Sequence, residues 1–158
     1  MQTSRKQALA LTAIAITIVA AALMQNGALR VLGVAPHAVL AALVAISFFT
    51  ENGIFYGLVA LIGALFARSS NALFDPVAVS LIISACLIFW LGRRLVWPGI
   101  VGVILLSAVG TMATYLYIEP AFIWKHPGVL FAEMLYTLLV AIGIFEALRF
   151  FFPHAVRR

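Results

Sequence analysis

The sequence predicts an all-α, polytopic membrane protein: a bundle of six transmembrane helices in which helices 2 and 3 are short or irregular. Of its 158 residues, 65% are hydrophobic and only 9% are charged, and the mean hydropathy is +1.17. In a soluble domain about a quarter of the residues are charged. This chain has too few charged residues to cover its surface in water, so its apolar surface must face lipid. The apolar runs are separated only by short breaks, which predicts a single integral-membrane domain over residues 1–158.

A spanning helix needs about 20 apolar residues, with a range of roughly 17 to 25. Three runs meet this length and the middle three are shorter. Pro36 lies inside the second run and would kink it, and Asp75 before a proline is a candidate helix cap. The break from Thr50 to Gly53 leaves three interpretations open: two spans, one continuous helix or a re-entrant hairpin. The six predicted helices lie near residues 7–24, 31–50, 53–67, 77–91, 98–118 and 128–148.

The distribution of basic residues predicts the orientation of the chain. With six spans, seven Lys and Arg residues lie on one side and three on the other, whereas five spans give six and four. Because cytoplasmic loops are enriched in Lys and Arg, the sharper asymmetry predicts cytoplasmic N and C termini and a cytoplasmic turn at Arg93 and Arg94. Trp90 and Trp97 bracket that turn, as expected for residues at a membrane interface.

The same composition excludes several functions. A net charge of +5 is ordinary for a protein whose basic residues contact anionic headgroups, so membrane lipid is an expected partner and nucleic acid is not. The single cysteine, Cys86, excludes an intramolecular disulfide. No catalytic constellation or metal-ligand spacing occurs, because Pro127 and Gly128 interrupt the only candidate pair, His126 and Glu133. We therefore expect no enzymatic activity, cofactor or metal.

Small residues in the third run predict close contacts between helices. Gly53 and Gly57 are four residues apart, and Gly63 follows in the same run. Small residues at this spacing let helix backbones approach in lipid, so we expect the third helix to be the most tightly packed. Pro36 and His37 are the candidates for the beginning of the second helix. These residues are the predicted sites of helix packing or partner contact.

Glu133 is the most informative acidic residue, because it lies among apolar residues in the first two turns of the sixth run. A carboxylate there needs a partner or access to the membrane surface. Two interpretations stay open: a polar contact inside the bundle or with a partner helix, and exposure near Lys125 or His126. Near the end of the same run, Glu146 and Arg149 are three residues apart and predict a local ion pair.

Five stretches carry a resemblance that spans residues 33–148: GVAPHAVLAALVAISFF, YGLVALIGALF, WLGRR, GTMATYLYIEP and LFAEMLYTLLVAIGIFEAL. Together with the size, the helix number and the basic termini, these stretches resemble the rod shape-determining protein MreD family. The chain departs from the family pattern at two places. His37 follows Pro36 where the family usually has asparagine, and the aspartate that ends the third helix is absent from Gly63 to Ala67.

The resemblance implies a non-enzymatic membrane scaffold subunit of the bacterial rod-shape and cell-wall elongation complex. It implies a multi-pass protein of the inner, or cytoplasmic, membrane that acts in cell shape and peptidoglycan synthesis. The implied partners are an MreC-like single-span scaffold and, directly or indirectly, MreB filaments and the RodA-type polymerase with its penicillin-binding transpeptidase. Such partners would be bound through helix faces within the bilayer.

The alternative is the substrate-binding membrane component of an energy-coupling vitamin transporter, which is similar in size and helix number. That function needs an outward pocket of convergent polar and aromatic side chains. The alanine-spaced coupling motif of that family is absent from residues 7–24, which favours the scaffold. A small channel would need a polar helix stripe, and none of the six runs has one. The candidate pocket residues are Tyr115, Tyr117, Glu119, Trp124, Glu133 and Tyr136.

Overall fold

The computed structural model describes residues 2–26, 37–68, 74–94 and 99–152, with the side chains of the first helix described from Thr12 to Gln25. Within these ranges all regular secondary structure is helical, which confirms the predicted all-α class. Pro36 and the other residues outside these ranges are not described further. The described helices are α1 (Gln2–Asn26), α2 (Ala38–Ser47), α3 (Gly53–Phe66), α4 (Pro76–Arg94), α5 (Gly99–Ile118), α6 (Pro120–Lys125) and α7 (Pro127–Phe151).

Three helices, α4, α5 and α7, are long and apolar enough to cross a membrane, with 19, 20 and 25 residues. At 1.5 Å per residue they reach about 28 to 38 Å, which matches a hydrocarbon core of about 30 Å. They indicate a membrane-embedded protein. As the sequence predicts, α2 and α3 are short, with 10 and 14 residues. Six spans and cytoplasmic termini stay predictions.

The observed bounds of α3, α4, α5 and α7 lie within three residues of the predicted ones, and the other three helices differ. The first helix was expected over residues 7–24 and is observed over Gln2–Asn26. The second helix was expected over residues 31–50, but α2 ends at Ser47, and the segment 31–36, which includes Pro36, lies outside the described residues. The short helix α6 was not expected at all. It begins with Pro120. Proline has no N–H group, and this loses no hydrogen bond here because the first N–H groups of a helix have no partner within the helix.

The break between α2 and α3 is real, so the two do not form one continuous helix. Asn52 caps α3 with its side chain, because Oδ1 accepts hydrogen bonds from the N–H groups of Ile54 at 3.0 Å and Phe55 at 3.2 Å. Asp75 caps α4 in the same way, at 2.9 Å from Val77 N and 3.1 Å from Ala78 N. The predicted cap at Asp75 is therefore confirmed.

The helix at the centre of the bundle is α2, and the expectation that the third helix is the most tightly packed was wrong. Every residue of α2 from Ala38 to Ile46 has an exposed fraction of 0%. This helix packs against α1, α3, α4, α5 and α7. A helix that is apolar on all sides suits a position enclosed by other helices. By contrast, α3 buries one face and exposes the other.

A small polar seam joins α4 to α5 inside the bundle. The Ser84 hydroxyl lies 3.1 Å from Thr114 Oγ1 and donates to the Gly110 carbonyl at 3.3 Å. The Thr114 hydroxyl also donates to Gly110, at 3.0 Å. A Cβ atom built on Gly110 would lie 3.0 Å from Ile88 Cδ1 and 3.2 Å from Leu40 Cδ1. Gly110 thus stands where α2, α4 and α5 meet.

Candidate functional site

The amino end of α2 is held by side chains from α1 and α7. His37 occupies the N-cap position, and its backbone N–H donates to Thr137 Oγ1 at 3.1 Å. The N–H of Val39, in the first turn, donates to Gln25 Oε1 at 3.1 Å. The first N–H groups of a helix have no partner within the helix, and buried backbone donors need one. Gln25 and Thr137 therefore fix where α2 begins.

The structure brings together two residues that the sequence singled out separately, His37 and Glu133. His37 Nε2 lies 3.9 Å from Glu133 Oε2, which is too long for a hydrogen bond. Both atoms are buried, and neither has a hydrogen-bond partner among the described residues. Glu133 and Thr137 are four residues apart on α7, so they share a helix face. Glu133 points towards His37, and only 15% of its side chain is exposed.

A chain of aromatic rings begins at His37. The rings of His37 and of Tyr115 on α5 form a T-shaped pair, with centroids 5.7 Å apart. Tyr115 in turn stacks on Phe122 of α6 at 4.9 Å, and Phe122 lies 5.2 Å from the His126 ring. The short helix α6, which the sequence did not predict, thus supplies the ring that shields Tyr115.

The polar cluster, defined as His37, Tyr115, Glu133 and Thr137, is suited to holding helices together. The imidazole and the carboxyl group face each other between helices at 3.9 Å, so a small side-chain rotation would bring them within hydrogen-bond distance and join α2 to α7. In the described ranges, no group of three or more His, Cys, Asp or Glu residues could hold a metal ion. Glu146 and Arg149 form the predicted ion pair, at 3.3 Å, and lie apart from this cluster near the end of α7.

Replacing Glu133 tests whether the pair couples α2 to α7. We expect Glu133→Leu to lower the free energy of unfolding and Glu133→Gln to preserve it, because the amide keeps a polar group of the same size beside His37. A double-mutant cycle with His37→Leu should give a coupling of about 0.6 to 1.7 kcal/mol, the size measured for polar contacts between membrane helices. Unfolding in mixed detergent micelles measures this energy. Additive effects of the two leucine substitutions would show that the residues do not interact.

The three glycines predicted for close packing have different surroundings. A Cβ on Gly63 would lie 3.0 Å from Val39 Cγ1, and one on Gly53 would lie 3.1 Å from Phe89 Cε1, so both glycines face neighbouring helices. A Cβ on Gly57 would have no atom within 4 Å among the described residues. Gly57 therefore does not pack against another described helix and lies on the outer face of α3, so contact with a partner stays a prediction for this glycine.

The residues considered for a transporter pocket do not all converge. Tyr115 and Glu133 both lie beside His37. The side chains of Tyr117, Glu119 and Trp124 are exposed, Trp124 to 86%. Tyr136 is partly buried on α7.

Sequence reasoning missed two residues that the site requires, Gln25 and Thr137. Each is a polar residue in or at the end of an apolar run. Thr137 also follows Glu133 by four residues, and this spacing puts both on one helix face. That spacing was a usable signal for Thr137, whereas Gln25 carries no comparable pattern.

Fold and site together define a membrane-embedded helical bundle whose polar cluster lies between helices. No protein-family model matches the chain, and no curated protein and no solved structure is significantly similar to it. The resemblance to the MreD family thus rests on the stretches of sequence quoted above.

Proposed function

We propose that this protein is a non-enzymatic scaffold subunit of the bacterial rod-shape and cell-wall elongation complex, of the MreD type. It resides in the inner membrane as a multi-pass protein and binds other membrane proteins through its helix faces. The resemblance of residues 33–148 to the MreD family supports this function. Its polar cluster, which joins helices of the same chain, suits a scaffold better than a catalyst.

The observation that carries the proposal is the outer face of α3. Gly57 has open space on this face and is surrounded by large apolar side chains, with Ile54 80%, Leu58 53% and Leu61 45% exposed. A glycine among larger residues forms a notch. In lipid such a notch favours the close approach of another helix, because association there depends on packing contacts. We name this surface, Ile54, Gly57, Leu58 and Leu61, the α3 outer face.

The proposed occupant of the α3 outer face is the single transmembrane helix of an MreC-like scaffold. One helix is enough to cover the outer face of α3, which is 14 residues long. The soluble part of the scaffold would remain outside the bilayer. The RodA-type polymerase, its penicillin-binding transpeptidase and MreB filaments would then be reached directly or through that scaffold.

Filling the notch tests this function. We expect Gly57→Leu to weaken co-purification with the single-span, coiled-coil partner on the order of tenfold in mild detergent, which corresponds to about 1.4 kcal/mol. The leucine would hold the partner helix away from the α3 backbone. Gly143→Leu is the matched control, because Gly143 on α7 is also exposed and its Cβ would also meet no atom within 4 Å.

Two outcomes would overturn the proposal. One is equal co-purification of the wild type and the Gly57→Leu variant. The other is a purified chain that retains a stoichiometric vitamin, which is the behaviour expected of the transporter component. In either case the α3 outer face would not be the site of scaffold binding.

A further inference from the structure

The short helix α6 lies outside the core of the bundle, between two long helices. It follows the end of α5 at Ile118, precedes the beginning of α7 at Pro127, and packs against both helices. None of its residues is buried. Six residues reach about 9 Å, much less than a hydrocarbon core of about 30 Å. Helix α6 therefore cannot cross a membrane, and its outer side meets water, headgroups or acyl chains.

The lengths of the two flanking helices indicate the depth at which α6 lies. Helix α5 has 20 residues and no charged side chain, and it reaches about 30 Å. In α7, Glu146 of the exposed ion pair lies about 29 Å along the helix from Pro127. Between these two residues the only charged side chain is Glu133, which faces His37 and is 15% exposed. Both lengths match the hydrocarbon core, so the two ends that α6 connects lie near one boundary of that core.

The side chains of α6 suit such a boundary. Phe122 is directed inwards, since its ring stacks on Tyr115, whereas Trp124 is 86% exposed and is followed by the exposed Lys125. Indole combines an apolar ring with an N–H donor, and tryptophan is enriched where the hydrocarbon meets the headgroups. Lysine can contact lipid with its methylene groups while its ammonium group reaches phosphate or water. Neither bulk water nor the centre of the bilayer offers both surroundings.

We propose that α6 binds the headgroup region of the bilayer, on the side opposite Glu146 and Arg149, and that Trp124 anchors it there. The indole ring contacts the upper part of the acyl chains, and its N–H donates to an ester or phosphate oxygen of the lipid. The anchor depends on the depth of the ring and not on one kind of headgroup, so phosphatidylcholine is sufficient. This inference rests on the membrane-embedded fold and does not depend on the scaffold function.

The anchor also sets the depth of the polar cluster. Glu133 follows Pro127 by six residues, which is about 9 Å along the helix. With the beginning of α7 held at the headgroups, the carboxyl group lies within the outer layer of the hydrocarbon core. A polar group at that depth needs a partner inside the bundle, and His37 is the residue that faces it.

Depth-dependent quenching of tryptophan fluorescence tests the proposal. The full chain with Trp90→Phe and Trp97→Phe retains Trp124 as its single tryptophan. It is reconstituted into phosphatidylcholine vesicles that contain a lipid brominated either close to the headgroup or close to the end of the acyl chain, and iodide serves as the quencher in water. We expect the bromines close to the headgroup to quench Trp124 most, and quenching to fall as the bromines move towards the chain end.

A tryptophan in the middle of α7 is the matched control. In a chain whose three tryptophans are replaced by phenylalanine, Leu139→Trp places an indole about 18 Å along the helix from Pro127. Leu139 is 60% exposed, so the ring has room. We expect the opposite order here, with the strongest quenching by the bromines close to the chain end.

A second measurement applies if the double phenylalanine variant does not fold. The same quenchers are added to the wild type and to Trp124→Phe, which changes one exposed side chain, and the difference gives the contribution of Trp124. Thermal unfolding of each variant checks its fold.

Two results would overturn the proposal. Quenching of Trp124 by iodide and by neither brominated lipid would place α6 in water. Strongest quenching by the bromines close to the chain end would place α6 in the hydrocarbon core. Neither result involves the α3 outer face, so failure of this test is distinguishable from failure of the proposed scaffold function.

Discussion

Leu40→Ala is expected to lower the free energy of unfolding by about 2 kcal/mol. Leu40 lies in α2, is fully buried, and its methyl groups approach Gly110 of α5. In water-soluble proteins this substitution costs about 2 to 5 kcal/mol, as the sum of a transfer term and a cavity term. In a bilayer the transfer term is small, because lipid is as apolar as the bundle interior. The cavity and the lost contacts remain, which gives the lower end of the range.

Unfolding with a denaturing detergent in mixed micelles measures this change. Leu61→Ala on α3 is the matched control, since Leu61 is 45% exposed and its truncation leaves no enclosed cavity. We expect the control to change stability by less than about 0.5 kcal/mol. Equal losses in the two variants would contradict the central position of α2.

Gly110→Val is expected to destabilise the bundle by about 1 to 3 kcal/mol, the usual cost of overpacking a filled core. A Cβ alone would lie 3.0 Å from Ile88 and 3.2 Å from Leu40, and valine adds two methyl groups beyond it. The strain would fall where α2, α4 and α5 meet. It would also disturb the carbonyl that accepts hydrogen bonds from Ser84 and Thr114.

Two further variants separate overpacking from the intrinsic effect of a β-branched residue in a helix. Gly143→Val makes the same exchange of glycine for a β-branched residue inside a helix, but a Cβ at Gly143 meets nothing within 4 Å. Its effect on the free energy of unfolding should therefore be close to neutral. Gly110→Ala should lie between Gly110→Val and the wild type. If Gly143→Val destabilises the protein as much as Gly110→Val, packing at Gly110 is not the cause.

The helices and their ends could be predicted from the sequence because they depend on local properties. Runs of apolar residues and the breaks between them gave α3, α4, α5 and α7 to within three residues at each end. The cap at Asp75 and the ion pair between Glu146 and Arg149 depend on spacings of two or three residues. Such features are present in the chain before any helix packs against another.

The arrangement of the helices could not be predicted in the same way. Hydropathy rates an apolar residue equally whether it faces lipid or protein, so it could not distinguish the enclosed α2 from the half-exposed α3. For the same reason, the sequence could not show that Gly57 faces outward or that Cys86 on α4 is exposed. His37 and Glu133 were each singled out, but no local pattern joins residues that are roughly a hundred positions apart.

The dependence of α2 on Gln25 and Thr137 has a consequence for biosynthesis. Ten residues reach about 15 Å, half the thickness of the hydrocarbon core, so α2 as described is shorter than a membrane span. The N–H of His37 at its amino end donates to Thr137 Oγ1, an acceptor on a residue translated a hundred positions later. The contact between the amino end of α2 and α7 can therefore form only after α7 has been synthesised, and α2 lacks this contact in the nascent chain until then.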